Sequence, residues 1–183
     1  DDLAPENRDL LSRPINLFRL LTHSPNAARA FHKLGMFIRH ESLLDARLRE
    51  LAILTVGYLT EQPYEYSHHV KLGQEFGVSK TDLGALTGYL GDKGGGTLTM
   101  IDKAVVDAAR QLTERRVLTV ETYTALETAL SSEELIDLVV TISFYNGVVR
   151  LLGAFEVDVE DDYAPYLEEF PLPSSNDRSG NGQ

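Results

Sequence analysis

A short stretch in the middle of the chain, YEYSHHVKLG at residues 64–73, concentrates side chains that can transfer protons. Glu65 and His69 are four residues apart, so on a helix they share one face. A carboxylate beside an imidazole favours the protonated ring and fixes which ring nitrogen meets a substrate. Such a histidine can protonate a carbon or an enolate near neutral pH. The spacing therefore predicts a general acid/base pair, and the alternative is an ordinary ion pair on a solvated helix face.

A second carboxylate, Glu50, stands immediately before the uncharged run at residues 51–59. A helix that is apolar all round must be buried all round. A tight turn joins this helix to the next one, so the two must pack together and Glu50 is expected near His69. Two interpretations of Glu50 stay open. It is either a catalytic carboxylate or a structural one that caps its helix or pairs with Arg47 or Arg49.

Three further residues are predicted to contact a substrate, namely Tyr66, His68 and Tyr145. A hydrogen-bond donor such as His68 or a tyrosine would stabilise an oxyanion formed during the reaction. The competing interpretations are that His68 faces solvent and that Tyr66 only packs in the core. Asn146 interrupts an apolar helix, so it either finds buried hydrogen-bond partners or faces the site.

The composition excludes several classes of function. The chain of 183 residues has a formal net charge of −11 and an isoelectric point of about 4.8, which argues against nucleic acid and anionic membranes as partners. It contains no cysteine, so thiol nucleophiles, thiolate metal sites and disulfides are excluded. An anionic substrate would need a local basic anchor in this acidic protein. The candidates for that anchor are Arg39, Arg47, Arg49 and Arg150.

A metal site is considered because Glu65 and His68 have the spacing of one helix of a carboxylate-bridged di-iron protein. Such sites need a second copy of the motif and further glutamates from other helices, and the sequence holds one copy. We therefore predict no metal and no cofactor.

The pattern of apolar residues is helical nearly throughout, without a stretch of strand-like alternation, and predicts an all-α fold. The longest uncharged run, residues 138–149, is too short to span a bilayer. The N-terminus is acidic and lacks the apolar core of a signal peptide. We expect a soluble cytoplasmic protein with one helical domain at residues 1–170. The polar, Pro/Ser/Gly-rich residues 171–183 are expected to form a flexible tail.

The segment at residues 43–83 resembles the carboxymuconolactone decarboxylase family, which includes the alkylhydroperoxidase D-like proteins. The resemblance lies in an Arg-Glu-Leu at the start of a buried helix, a turn, a second helix with the active groups and a glycine stop. The peroxidase branch carries Cys-x-x-Cys-x-x-x-His on that second helix. Here Gln62 and Glu65 stand where the cysteines would be, His69 is kept, and the upstream acid of the family falls on Glu50. The motif YEYSHH is similar to the YEWxxH of a cysteine-free branch.

The resemblance implies an all-α, alkylhydroperoxidase D-like helical bundle with its family core at residues 43–83 and 99–155. It also implies a homo-oligomer, dimeric, trimeric or hexameric, with sites close to subunit interfaces. Because both cysteines are replaced, the Cys-dependent peroxidase activity of the family is not expected. The implied activity is that of a cofactor-free lyase that decarboxylates or isomerises a small organic acid or lactone through an enolate-type intermediate.

Two hypotheses about function follow. The first is this acid/base enzyme, with Glu50, Glu65 and His69 as its catalytic residues. The second is a non-catalytic, oligomeric ligand-binding or scaffold protein of the same fold. An enclosed pocket on which the three residues converge would favour the first hypothesis, and scattered surface positions would favour the second.

Overall fold

The structure of the protein is a computed structural model that describes residues 3–173. This part of the chain consists of helices and loops without a strand, so the predicted all-α fold is confirmed. The ten residues 174–183 of the predicted tail lie outside the described range. The helices, in chain order, are a 3-10 helix at Pro5–Leu11, α1 (Asn16–Leu21), α2 (Pro25–Met36), a π-helical turn at Phe37–Glu41, α3 (Ala46–Leu59), α4 (Pro63–Glu75), α5 (Lys80–Leu90), α6 (Met100–Glu114), α7 (Val120–Ala129), α8 (Ser132–Ala154) and α9 (Ala164–Glu169).

Helix α3 is the centre of the bundle and packs against α4, α6 and α8. Its residues from Leu48 to Gly57 are all buried, and they include residues 51–57 of the uncharged run that was predicted to be buried. Gly57 permits a close approach of α3 to α4, because a Cβ atom there would stand 3.2 Å from the backbone nitrogen and Cα of Tyr66. The two helices that carry the predicted acid/base residues are therefore in direct backbone proximity.

Capping boxes begin α5 and α6, and one arginine connects them. Asp82 and Asp102 each complete the capping box of their own helix, with Ser79 and Thr99 as the partners. The guanidinium of Arg47, in the first turn of α3, lies 3.0 Å from Asp82 and 2.7 Å from Asp102. Although burial alone would raise the pKa of both carboxyls, the hydrogen bonds from Arg47 hold it below the ordinary value. Arg47 therefore fixes the starts of three helices relative to one another.

The π-helical turn extends α2 towards the start of α3. The next residue, Ser42, donates a 2.8 Å hydrogen bond from its hydroxyl to Asp137 of α8. The backbone nitrogen of Leu43 donates to the same carboxylate oxygen, also at 2.8 Å. Turns of this kind often occur at functional sites, and this one carries Arg39.

The N-terminal and C-terminal segments of the described chain meet on α4. The backbone nitrogen of Asn16 donates a 2.6 Å hydrogen bond to Glu160, and its side-chain amide donates to the carbonyl of Asp158 at 2.9 Å. Helix α9 packs against α4 beside them. The start of α1 is thus attached to a segment more than 140 residues further along the chain.

Helix α8, the longest, is long and apolar enough to cross a membrane when judged by length and composition alone. Of its most apolar 18-residue window, 44% is buried among the other helices. Its buried face includes Leu138, Ile142 and Tyr145. The helix thus supplies one wall of the core.

Candidate active site

Glu50, His69 and Glu65 form a continuous chain of contacts between α3 and α4. The Nδ1 atom of His69 lies 2.6 Å from Oε2 of Glu50, and its Nε2 atom lies 2.9 Å from Oε1 of Glu65. All three residues are buried, with exposed fractions of 4% or less. We call this arrangement the Glu50–His69–Glu65 relay.

Arg49 holds the far end of the relay. Its Nε and Nη2 atoms each donate a 3.0 Å hydrogen bond to Oε1 of Glu50. Its Nη1 atom donates to the backbone carbonyl of Arg39 at 3.2 Å, and its guanidinium lies 4.6 Å from the ring centroid of Phe76. Two charge-assisted hydrogen bonds from one guanidinium fix the position of the carboxylate and stabilise its charge. Glu50 therefore pairs with Arg49, as the structural interpretation predicts, and it also contacts His69.

The electrostatics of the relay favour a proton on His69. Burial alone would lower the pKa of this histidine, but the charge of Glu50 and the contacts with Glu50 and Glu65 outweigh burial and raise the pKa to about 9. Burial would likewise raise the pKa of Glu50, but the positive charges of His69 and Arg49 lower it. At neutral pH the two groups form a buried imidazolium–carboxylate pair.

The relay opens onto a cavity of about 170 Å³ between α1, α2, α4 and α8. Glu65 and His69 line it, whereas Glu50 stands behind His69 and does not. The remaining walls are mostly apolar and aromatic. Among the other lining residues are Leu17, Phe18, Phe31, Leu72, Phe144 and Val148. The cavity therefore gives a small apolar molecule access to the near end of the relay.

Tyr145 of α8 faces the same cavity. Its ring meets that of His69 edge-on, with 5.0 Å between centroids and an angle of 84°. Within residues 3–173 its hydroxyl has no hydrogen-bond partner. Burial raises the pKa of this phenol, and the charges of Glu65 and Glu50 raise it further. Tyr145 is therefore a neutral hydrogen-bond donor at the cavity wall.

His68, one of the residues predicted to contact a substrate, also lines the cavity, and the competing interpretation that it faces solvent is wrong, since only 4% of it is exposed. Its ring stacks between Tyr64 and Tyr163, with centroid distances of 4.3 and 3.5 Å. Its Nε2 atom lies 2.7 Å from Oε2 of Glu160. Burial lowers the pKa of His68, and the hydrogen bond and charge of Glu160 only partly oppose this.

Tyr66, predicted to bind substrate, lies in the core and is absent from the residues that line the cavity. Its ring packs against Tyr58 at 5.7 Å, which agrees with the packing interpretation. Asn146 likewise lies outside the lining. Its amide donates 3.0 Å hydrogen bonds to the hydroxyl of Thr113 and the carbonyl of Ile142, which favours the structural interpretation.

Of the four candidate anchors for an anion, Arg39 alone lines the cavity. Arg47 and Arg49 are committed to the ion pairs described above, and Arg150 is exposed and hydrogen-bonded to Asn146.

Two charged residues near the site were missed by the sequence reasoning. Arg13 lines the cavity, and Glu160 pairs with His68. Neither belongs to a motif: Arg13 lies in the N-terminal segment, and Glu160 is one acid in the run DVEDD.

Across residues 3–173, no group of three or more His, Asp and Glu side chains is arranged to hold a metal ion. The relay consists of one histidine flanked by two carboxylates, each of which contacts a different ring nitrogen. This arrangement suits the transfer of a proton along the ring.

The fold is that of the AhpD-like helical proteins. The AhpD core of an uncharacterized peroxidase-related protein from Ralstonia eutropha superimposes with a TM-score of 0.73 and 16% identity, covering 94% of this chain and 92% of that one. A variant of the debrominase Bmp8 in complex with 2,3,4-tribromopyrrole superimposes with a TM-score of 0.74 and 15% identity, covering 91% of this chain and 92% of that one. A protein of unknown function from Agrobacterium tumefaciens, named for AhpD antioxidant defence, superimposes with a TM-score of 0.67 and 20% identity, covering 77% of this chain and 95% of that one. At these low sequence identities the similarity is evidence for a shared fold alone.

Residues 25–100 match the sequence model of the carboxymuconolactone decarboxylase family. This confirms the resemblance predicted from residues 43–83, and the matched range contains Glu50, Glu65 and His69. A search of curated proteins gives no match.

Proposed function

We propose that the protein is a cofactor-free acid/base enzyme that acts on a small organic acid or lactone. The observation that carries this proposal is the buried Glu50–His69–Glu65 relay, whose near end lines a largely apolar cavity. Perturbed titratable groups that converge on an enclosed pocket are typical of active sites. Glu65 and His69 line the cavity and Glu50 contacts His69 from behind, and this partial convergence favours the enzyme over the non-catalytic scaffold hypothesis.

The residues take separate roles in this proposal. Glu50, fixed by Arg49, keeps His69 protonated and sets its orientation, as a buried carboxylate does for a catalytic histidine. Both ring nitrogens of His69 are occupied, so Glu65 is the group that exchanges the proton with substrate. Tyr145, neutral and without a hydrogen-bond partner inside the described range, donates a hydrogen bond to a developing oxyanion.

A decarboxylation would proceed as follows. The bond between the substrate carbon and its carboxylate breaks, and carbon dioxide leaves. The electron pair moves through a conjugated double bond onto a carbonyl oxygen, which gives a dienolate. The relay delivers one proton to the carbon, and a proton from solvent later restores the relay. The substrate is its own electron sink. An isomerisation would use the relay to remove a proton from one carbon and return it to another.

The family match supports this class of chemistry, while the absence of cysteine from the sequence argues against a Cys-dependent peroxidase. The debrominase activity of Bmp8 belongs to that protein. A single domain over residues 1–170, a homo-oligomer and a cytoplasmic location remain predictions, and light scattering of the purified protein would test the second.

The test is a turnover assay with γ-carboxymuconolactone and related lactone acids, followed by loss of ultraviolet absorbance. Glu65→Gln and His69→Gln should each lower kcat by about 10²–10⁴-fold, the range for a lost general acid/base group. His23→Gln, an exposed histidine outside the cavity, is the matched control and should keep full activity. Full turnover by both site variants would contradict the proposal, and no turnover on any of these compounds would favour the ligand-binding alternative.

A further inference from the structure

Arg13 and Arg39 are two cations on the wall of the cavity whose charges are not neutralised. Both are half-buried, and among residues 3–173 neither side chain has a carboxylate partner within ion-pair distance. A partly buried guanidinium without hydrogen-bond partners costs free energy, so these arginines favour binding of an anion that can accept their hydrogen bonds.

Arg39 is built into the site through its backbone. Its carbonyl accepts the 3.2 Å hydrogen bond from Arg49, and Arg49 also holds Glu50. Its charge is close enough to Tyr145 to oppose the rise in the pKa of that phenol. The position of Arg39 is therefore coupled to that of the relay.

Arg13 is positioned by a segment that is fixed at several points. Its carbonyl accepts a 2.9 Å hydrogen bond from the backbone nitrogen of Ile15. The backbone nitrogen of Asn16 donates to Glu160 at 2.6 Å, and that of Leu17 donates to the hydroxyl of Tyr64 at 3.1 Å. The wall that carries Arg13 is thus attached to α4 and to the segment before α9.

The charge of the cavity is opposite in sign to that of the protein. At neutral pH its lining carries the cations Arg13, Arg39 and protonated His69 against one carboxylate, Glu65, in a chain of net charge −11. The volume of about 170 Å³ is close to that of an apolar cavity that holds benzene. A compact ring with an anionic group fits both properties.

We propose that Arg13 and Arg39 together select the ligand, by binding the carboxylate of a five- or six-membered ring acid whose ring occupies the apolar part of the cavity. Arg13 lies outside the residues matched by the family, so this part of the specificity belongs to the N-terminal segment of this chain. The inference names the substrate class of the proposed enzyme, but binding of the carboxylate does not depend on turnover.

The test is equilibrium binding of benzoate, with benzamide as the uncharged probe of the same shape, by NMR titration at constant ionic strength. Benzoate should bind measurably more tightly than benzamide to the unaltered protein. Arg13→Gln and Arg39→Gln should each weaken benzoate binding by about tenfold or more, the scale of a hydrogen bond to a charged group, and leave benzamide unchanged. Arg150→Gln, which alters an exposed arginine outside the cavity, is the matched control and should bind benzoate normally.

Several results would overturn the proposal: equal binding of benzamide and benzoate, no saturable benzoate binding, or unchanged benzoate binding in both cavity variants. Arg13→Lys and Arg39→Lys keep the charge and guard against an effect of misfolding, and they should bind benzoate with intermediate affinity. Selective benzoate binding without turnover on any lactone acid would support this inference while the proposed reaction fails. Turnover that is unchanged in both arginine variants would support the proposed reaction and contradict this inference.

Discussion

The Nδ1 atom of His69 lies 2.6 Å from the Oε2 atom of Glu50, although the two residues are 19 positions apart and sit on different helices. Both side chains are almost wholly buried, so neither can be solvated if the other is removed. Breaking a buried ion pair leaves an uncompensated charge, which is far more costly than the loss of a surface pair. The pair therefore affects stability and proton affinity together.

Glu50→Gln should lower the pKa of His69 from about 9 by at least about one unit. Burial disfavours the charged imidazolium, and in this variant Glu65 is the nearest remaining carboxylate that stabilises it. The pKa can be read from the imidazole carbon resonance of His69 between pH 5 and 10. His68 in the same variant is the internal control, and its lowered pKa should stay where it is. A His69 that still titrates near 9 would show that Glu50 does not set its proton affinity.

The free energy of unfolding should fall with rising pH between about 6.5 and 9. The pKa of His69 is raised from 6.5 to about 9 in the folded state, so its stabilising contribution is complete below 6.5 and lost as pH rises through 9. At 1.36 kcal/mol for each pKa unit, the expected loss is about 3 kcal/mol. Urea unfolding at a series of pH values measures it.

His69→Gln should flatten the profile over this range, and His68→Gln, which replaces the neighbouring histidine, should keep the decline. The pKa of Glu50 is lowered, so its contribution has the opposite sign: it is present above pH 4.5 and lost as pH falls through the folded value. A profile that is unchanged by His69→Gln would contradict the buried imidazolium.

Arg49→Met should reduce the free energy of unfolding by about 3 kcal/mol, since it breaks a buried pair and removes both hydrogen bonds to Oε1 of Glu50. Arg29→Met is the matched control, because its pair with Asp9 is largely exposed, and it should have little effect. Urea denaturation of both variants measures the difference. Equal effects would mean that burial does not strengthen the Arg49 pair.

Glu160→Ala should loosen the N-terminal wall of the cavity. Its carboxylate accepts hydrogen bonds from the backbone of Asn16 and the hydroxyl of Tyr64, and it contacts His68. Local opening exposes amides to exchange, so the amide of Asn16 should exchange about tenfold faster in native-state hydrogen exchange. Glu160→Gln keeps one acceptor oxygen and should exchange more slowly than the alanine variant. An unchanged Asn16 amide in Glu160→Ala would show that the wall is held elsewhere.

The parts that the sequence predicted are those that depend on local spacing. The capping box that starts α8 is visible in the sequence as Ser131-x-x-Glu134, because its hydrogen bonds join residues three apart. Glu65 and His69 meet because a helix brings residues four apart together. The position of Glu50 was predicted from a tight turn between two helices that had to pack against each other.

The errors concern residues whose surroundings come from distant segments. His68 is buried by Tyr163 and Glu160, which lie over ninety positions away, and no helical period reveals them. Tyr66 points into the core beside Gly57, while its neighbour Glu65 points into the cavity, and the motif alone does not show which face of α4 meets which helix.

By itself, the sequence determined the helical fold class and the pairing of a carboxylate with a histidine, because hydrogen bonding and side-chain spacing along a helix act over four residues. The tertiary structure alone decided that Arg13, Arg39 and Tyr145 face one cavity with His69. That arrangement depends on which apolar faces of α1, α2, α4 and α8 are buried against each other. The apolar period along a helix marks a face as buried, but burial is non-directional and does not specify which other helix covers that face.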